Sequence, residues 1–413
     1  MKTGYSHIKC GLIGEKLGHS FSEMIHRELA DYQYELIELS PGEVESFVKS
    51  HRLDAYNVTV PYKKAVMPFL DIISPEAQAI GAVNTVVHGK DGKLYGYNTD
   101  YFGFSHMLDK SKIKVTDKKV LVFGTGGASA TVCAVLRDRG VRELAVIGSR
   151  DNNEGVLKKH YDSQIIVNTT PVGMYPKNGT SPVDISQFPL CESVLDVIYN
   201  PSKTKLLLDA EKRDLPHING LPMLVAQAVK AFEFFTGDAA DYSVCDDIIR
   251  LLDFNTKNII LIGMPGCGKS TVAKLIAEKL SRSFYDADKV FEEVFGKTPA
   301  DVICESGEEK FREMEHEIAD RLGKLNGAVI ATGGGVVTRS YNYAPLHQNG
   351  TLVFLERDLK KLSSKGRPLS QTNSLQALYD SRIEAYRRFA DITVSSTEIP
   401  NDTAELIISM IKK

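Results

Sequence analysis

The chain has 413 residues, too many for one ordinary core, so two or three domains are expected. Charged residues make up 25% of it and the net charge is −3, a balance that offers no bulk basic character for gripping nucleic acid. No apolar run approaches the roughly 18 residues of a membrane helix, and MKTGYSHIKCGLIGEK at the start lacks the apolar core of a secretory signal. Along the chain, short runs rich in Val and Ile alternate with amphipathic stretches. KCGLIG, AYNVTV, KVLVFG, LAVIGS, QIIVNT and SVLDVIY read as strands, and ASATVCAVLRDRG and LPMLVAQAVKAFEFFTG as helices. This alternation predicts parallel sheets of the α/β class. Polar FNTKN after CDDIIRLLD places a boundary near Asn255. Behind it NIILIG, AVIATGG, GTLVFLE and ADITVSS repeat the pattern.

In the front half, GHSFS places the hydroxyls of Ser20 and Ser22 where the chain enters a helix. Ser22 before Glu23 also suits an N-cap, and the two uses are compatible. In NVTVPYK a strand ends at Pro61, which has no N–H to continue the pairing, and Lys63 is left at its mouth. Alone, Lys63 reads as a solvated lysine. GAVNT and YNTD add Asn84 and Asp100 from separate loops, and a lysine facing an aspartate can pass a proton. KVLVFGTGGASATVCAVLRDRG reads as strand, glycine turn and helix. Gly124, Gly126 and Gly127 approach a dinucleotide-binding turn without making a strict G-x-G-x-x-G, and a plain strand-to-helix turn is the other reading. The next strand ends in Arg150. An acid there suits the ribose of NAD and an arginine a 2′-phosphate, so Arg150 favours NADP while the adjacent Asp151 pulls the other way.

In this order, and followed by NTTPVGM, DVIYNPSKTKLL and NGLPMLVAQA, these motifs resemble shikimate dehydrogenase over residues 6–250. The resemblance implies NADPH-dependent reduction of 3-dehydroshikimate to shikimate, with Lys63 and Asp100 as the catalytic pair. Ser20, Ser22, Thr59, Asn84, Asp100, Tyr199 and Gln227 would line the substrate pocket. Gly124, Gly126, Gly127, Ala128, Ser149 and Arg150 would bind NADP, with Gly220 and Met223 near the nicotinamide. A two-lobed fold is implied: a substrate lobe of residues 1–100 plus 220–254, and a Rossmann-like NADP lobe of residues 101–219. There are two departures. Glu23 stands where the family often has proline, an acid that suits the first turn of a helix. Only 14 residues separate Arg150 from Ile165, where the family usually fits a further strand and helix, so the cofactor lobe is expected to be one unit short.

The rear half opens on LIGMPGCGKST, which holds G-x-x-x-x-G-K-[ST] between a strand and an amphipathic helix. Successive N–H groups of such a loop wrap phosphate oxygens, glycines let the chain approach, and the helix points its positive end at the same charge. Lys269 would add a cation on the β- and γ-phosphates and Ser270 a hydroxyl for Mg²⁺. In YDADKVFEE, Asp286 and Asp288 stand two apart at a strand end, a spacing that points both the same way, one for a metal and one for a hydroxyl. SGEEKFREMEHE supplies Arg312, ATGGGVV the glycines Gly333 to Gly335, and SRIEAYRRFADITV Arg382. Two arginines favour an anionic acceptor, since the guanidinium fork matches a carboxylate; taken singly, each reads as a solvated side chain.

With GRPL and the late Arg382 and Tyr386, residues 257–413 resemble shikimate kinase. The resemblance implies a P-loop domain with a parallel sheet over residues 255–413. Gly266, Gly268, Lys269, Ser270 and Thr271 would hold ATP and Mg²⁺, with Asp286 supporting the metal. Asp288, Arg312, Gly334 and Arg382 would hold shikimate, Asp288 also as proton acceptor, and Arg367 would close over the phosphates as the lid arginine. LKKLSSKGRPLSQTN is shorter than the usual lid, and a basic residue expected before it is missing around Ser363 to Lys365. The front half would thus make what the rear half consumes, and a bifunctional enzyme of small-molecule substrates is expected, with no nucleic-acid or membrane partner. The rivals are quinate or another polyol as substrate, one active half, or a regulator that binds without turnover. Lys63, Asp100, Lys269 and Asp288 together favour the enzyme. The six cysteines form no Cys-x-x-Cys pair and have no histidine at zinc spacing, so free thiols and a cytoplasmic location are expected.

Overall fold

A computed structural model describes residues 3–18, 20–362 and 375–412. The chain divides into two compact units. One comprises Met1–Val172, Ser181–Tyr199 and Asp209–Arg250, and the other Gly173–Thr180, Asn200–Leu208 and Leu251–Lys413.

The first unit holds two sheets. Strands β1 (Lys9–Gly14), β2 (Gln33–Glu38), β3 (Ala55–Val58), β4 (Ile72–Ile73), β5 (Thr85–His88) and β6 (Leu94–Tyr97) form one, in the order β2-β1-β3-β5-β6-β4. β1 is parallel to both neighbours, and Cys10 stands between Tyr34 and Ala55. β5 is antiparallel to β3 and β6. KCGLIG is buried except for Lys9, as a central strand covered on both faces must be. The second sheet takes β7 (Lys119–Phe123), β8 (Glu143–Ile147), β9 (Ile165–Asn168), β10 (Ser193–Asp196) and β11 (His217–Ile218), ordered β11-β10-β9-β7-β8, with every pairing parallel. This is a Rossmann-like sheet. The order reverses at β7, so the crevice for a ligand opens at its C-terminal end, where the glycine turn follows. Between β8 and β9 there is only a one-turn helix, Glu154–Leu157, and a 3-10 turn, Lys158–His160. The short spacing in the sequence therefore leaves β8 as the edge strand, with Val146 exposed on it.

The Leu221–Thr236 helix starts after β11 and returns to the first sheet, packing on the Thr99–Ser111 and Ser22–Leu29 helices and on β3 and β5. Its start demands glycine: a Cβ on Gly220 would lie 1.9 Å from Val197 O. The boundary expected near Asn255 falls where a helix ends and a strand begins. The Val244–Thr256 helix runs through Asn255, and the next strand begins two residues later at Asn258.

In the second unit β12 (Asn258–Ile262), β13 (Phe284–Asp286), β14 (Val329–Ala331), β15 (Gly350–Glu356) and β16 (Ile392–Ser395) make a parallel sheet ordered β13-β14-β12-β15-β16. β12 is buried throughout, and its alternation divides the core. Ile260 and Ile262 pack with Phe291, Phe354 and Phe389 on one face, while Ile259 and Leu261 pack with Val272, Ile276 and Ile407 on the other. Each such side chain contributes about 1.5–3 kcal/mol on burial. The parallel order brings the loops after β12, β13, β14 and β15 to one edge of the sheet.

Candidate active sites

In the first unit, Lys63 Nζ donates to Asp100 Oδ2 at 2.5 Å, with the side chains 19% and 9% exposed. Asn98 fixes the aspartate: it caps the Thr99–Ser111 helix, its Oδ1 accepting the Tyr101 N–H at 3.2 Å, and so sets Asp100 in the first turn. A Cβ on Gly127 would lie 3.9 Å from Lys63 Cδ and 3.8 Å from Ala82 Cβ. The lysine therefore sits under the start of the Gly127–Asp138 helix that follows β7.

A buried polar floor surrounds this pair. Asn84 Oδ1 accepts the Thr99 N–H at 2.7 Å, Asn84 Nδ2 donates to Thr99 Oγ1 at 3.1 Å, and Thr99 Oγ1 donates to Gln227 Oε1 at 3.3 Å. Asn57 Nδ2 donates to Thr85 Oγ1 at 3.1 Å, and Tyr34 OH donates to Asn57 Oδ1 at 2.8 Å. His26 stacks 3.9 Å from Tyr34, and burial lowers its pKa to about 3, so it stays neutral. The bonds among Asn84, Thr99 and Gln227, with Gln227 Nε2 donating to Leu224 O at 2.9 Å, hold Asn84 and Gln227 in fixed orientations, while His26 Nε2 is buried without a hydrogen-bond partner. Ser22 is buried at the head of its helix, but the residue in the N-cap position is Phe21, which brings no side-chain cap. The capping use read for Ser22 is therefore absent, because the helix starts at Ser22 itself; Ser20 Oγ accepts its N–H at 3.2 Å. Tyr199 packs 5.1 Å from the Phe21 ring, and burial raises its hydroxyl pKa. The Thr59 N–H donates to Ile13 O at 2.9 Å, and Met223 is buried in the core under β7. Asn57 and Tyr34 escaped the sequence reading, the first inside a run read only as an apolar strand; Thr85 and Thr99 belong to the GAVNT and YNTD segments read as bringing hydroxyls to the site.

In the second unit the P-loop joins β12 to the Lys269–Leu280 helix, with Gly268 at its N-cap at φ 101°. Lys269 is buried, and its Nζ donates to Gly263 O at 2.9 Å and Met264 O at 3.1 Å. Ser270 and Thr271 are exposed in the first turn. Asp286 ends β13 and caps the Ala287–Phe295 helix, its Oδ1 accepting the Asp288 N–H at 3.1 Å. The expectation that both aspartates share a strand face is corrected by this: the strand stops at Asp286, and Asp288 belongs to the helix.

The two arginines are not solvated. Arg312 is 2% exposed, with Nη1 donating to Glu315 at 2.7 Å and Nη2 to Glu308 at 2.8 Å. A Cβ on Gly335 would lie 2.2 Å from Arg312 Nη1, so glycine there is what lets the guanidinium lie against the loop. Arg382 is buried and donates to Gly334 O at 3.1 Å, beside the Tyr386 hydroxyl on the same oxygen. Asp288 Oδ1 and Glu315 Oε1 flank Gly333, at 3.2 and 2.9 Å from where its Cβ would be. A small cavity is lined by Asp288, Glu315, Gly333, Phe291 and Phe311. Burial raises the Glu315 pKa and Arg312 opposes the rise. Glu315 was missed in the sequence, although its spacing of three from Arg312 was a usable signal. Arg367, GRPL and Ser363 to Lys365 lie outside the described residues.

Models of known families match both units. One described as shikimate kinase matches residues 265–412, and those described as shikimate dehydrogenase substrate binding domain and shikimate 5′-dehydrogenase C-terminal domain match residues 12–86 and 220–250. A shikimate dehydrogenase (NADP(+)) of Clostridium perfringens is 40% identical over 266 residues, covering 59% of this chain and 97% of that one. The chain belongs to the shikimate dehydrogenase family and carries a shikimate kinase domain behind it. The dehydrogenase part is similar in structure to a chorismate mutase/shikimate 5-dehydrogenase fusion from Clostridium acetobutylicum, with 36% identity, a TM-score of 0.55 and coverage of 59% of this chain and 96% of that one. It is likewise similar to shikimate 5-dehydrogenase from Thermus thermophilus in complex with NADP(H) and shikimate, at 31% identity, a TM-score of 0.52 and coverage of 59% and 99%.

The residues of the dehydrogenase fit a dinucleotide. Gly124 follows β7, its N–H donating to Ile147 O at 2.8 Å. Gly126 is the N-cap of the following helix, of which Gly127 and Ala128 are the first residues, so unpaired N–H groups face the crevice. Ser149 and Arg150 are exposed beyond β8, and among the described residues Arg150 has no hydrogen-bonded partner. The kinase residues fit a nucleotide with a cation. Lys269 has three donors and uses two on the loop, leaving one for phosphate. The Ser270 hydroxyl and the Asp286 carboxylate are oxygen donors that would fit such a cation. Among the described residues no cluster of three or more His, Cys, Asp or Glu side chains could hold a metal alone.

Proposed function

We propose that the first unit reduces 3-dehydroshikimate to shikimate with NADPH and the second phosphorylates shikimate with ATP to shikimate 3-phosphate. The observation that carries the reading is that each unit has its own chemistry-bearing site, Lys63–Asp100 in one and the P-loop with Arg312 and Arg382 in the other, and the product of the first reaction is the acceptor of the second. Bound NADPH supplies the hydride. Lys63 gives a proton to the ketone oxygen while Asp100 holds its Nζ in place. Ser20, Ser22, Thr59, Asn84, Tyr199 and Gln227 orient the ring, the amides of Asn84 and Gln227 already set by the polar floor. Gly220 and Met223 bound the nicotinamide, and Arg150 takes the 2′-phosphate.

In the second unit ATP supplies the phosphoryl group. Lys269 neutralises the β- and γ-phosphates, and Ser270 and Asp286 would hold Mg²⁺, which would supply further charge neutralisation. Asp288 orients and deprotonates the acceptor hydroxyl. Arg312 and Arg382 hold the acceptor carboxylate beside Gly334, and the work is mainly positioning and charge neutralisation.

Two assays on the purified chain test the proposal. Shikimate-dependent reduction of NADP⁺ and shikimate-dependent release of ADP should both be measurable, and loss of either from the unmutated protein refutes that half. Arg150→Gln should raise KM for NADP⁺ about tenfold or more and leave KM for NAD⁺ nearly unchanged, because a charged hydrogen bond to the 2′-phosphate contributes about 1.5–3 kcal/mol. Equal changes for both dinucleotides would remove Arg150 from that contact.

A further inference from the structure

Arg357 follows β15 at the same sheet edge as the P-loop. Among the described residues, the atom that a Cβ on Gly268 would meet within 4 Å is Arg357 Nη1, at 3.7 Å. Gly268 is the N-cap of the Lys269–Leu280 helix and the residue before Lys269. The arginine is half-buried and has no hydrogen-bonded or ion-paired partner among the described residues. The carboxylates around it are engaged elsewhere. Glu356 Oε1 accepts the Tyr379 hydroxyl at 3.1 Å, Asp358 Oδ1 accepts the Lys360 N–H at 2.9 Å, and Glu398 pairs with Lys361. Arg357 lies near enough to Glu398 to help lower its carboxyl pKa, after the larger effect of Lys361.

A cation in this place is unfavourable on its own. It stands at the positive end of a helix and next to Lys269. A polyphosphate seated in the loop reverses both signs at once. Lys269 reaches the β- and γ-phosphates, whereas the loop backbone cradles the α- and β-phosphates. Arg357 approaches that backbone at Gly268. We infer that Arg357 is a further nucleotide-binding residue of the kinase, its guanidinium holding the α,β-diphosphate of a nucleotide bound in the P-loop. The inference rests on the kinase reading of this unit. It makes the fixed end of β15 a source of nucleotide affinity that does not depend on the segment following residue 362.

Calorimetry with ADP on the full chain tests it, alongside KM for ATP and for shikimate in the kinase assay. Arg357→Gln should weaken ADP about tenfold or more and raise KM for ATP similarly, while KM for shikimate and the dehydrogenase activity stay unchanged. Arg357→Lys, which keeps the charge and loses the fork, should fall between the two. An ADP affinity in Arg357→Gln within twofold of the parent overturns the inference and leaves the kinase reading standing. Equal weakening of ATP and shikimate with a lowered melting temperature also overturns it, since that marks a structural role. A parent chain that binds no ADP overturns both.

Discussion

Lys63→Ala is expected to lower dehydrogenase kcat by about 10²–10⁴-fold, the range supplied by a positioned proton donor. KM for NADP⁺ should change little, because the contacts proposed for the dinucleotide are the glycine turn and Arg150. The kinase activity of the same preparation should be unaltered, which makes it an internal measure of how much folded protein is present. The substitution has a second consequence. Asp100 is 9% exposed, and its Oδ2 loses the ammonium 2.5 Å away. A carboxylate left buried without its cation destabilises the unit as well as the reaction. Lys63→Ala combined with Asp100→Asn separates the two. The double variant should recover melting temperature, since the stranded charge is gone, and should remain as slow as the single variant. A Lys63→Ala enzyme that keeps more than a tenth of parental kcat would take Lys63 out of the proton transfer.

The Lys63–Asp100 pair was legible in the sequence because each residue sits beside a local signal, a proline just past a strand, although β3 stops at Val58 rather than at Pro61, and an asparagine that caps a helix. The glycine turn and the P-loop were legible for the same reason: a strand before and a helix after are written in adjacent residues. The shortened stretch between Arg150 and Ile165 also read correctly, since chain length bounds what can fit, and the sheet stops at β8. What failed was whatever depended on the residue where an element ends. β13 stops at Asp286, so the two-residue spacing to Asp288 carried no strand alternation. Ser22 lost its capping use because the helix begins one residue earlier than a cap requires. FNTKN is polar yet forms no linker: Phe254 to Thr256 finish the Val244–Thr256 helix and Asn258 opens β12. Partners far apart in sequence were invisible: Tyr34 with Asn57, Thr99 with Gln227, and Arg382 with Gly334 meet only when the chain is folded.

The largest effect in the second unit belongs to Arg312→Leu, and it combines a binding loss with a folding loss. The guanidinium is 2% exposed, and Glu315, 10% exposed, is its closest partner. Removing one member of such a pair costs about 3–5 kcal/mol of stability, because the other charge stays buried alone. Glu308 is half exposed, so water can replace its share. KM for shikimate should rise about 10–100-fold as a charged hydrogen bond to the acceptor carboxylate is lost. The pH dependence identifies the stranded group. Burial already raises the Glu315 pKa above 4.5, with Arg312 opposing, so loss of the arginine raises it further. The folded state then holds the Glu315 proton more tightly than the unfolded state does. Stability conferred by that proton is present below the unfolded pKa and is lost as pH rises through the folded one. Arg312→Leu should therefore lose more stability, relative to the parent, at neutral pH than in acid. Adding Glu315→Leu should restore melting temperature and flatten this pH dependence, because a buried ion pair replaced by apolar groups of similar size is often neutral. It should not restore KM for shikimate. If the double variant regains both, Arg312 supports the fold and the acceptor carboxylate is held elsewhere, leaving Arg382 as its cation.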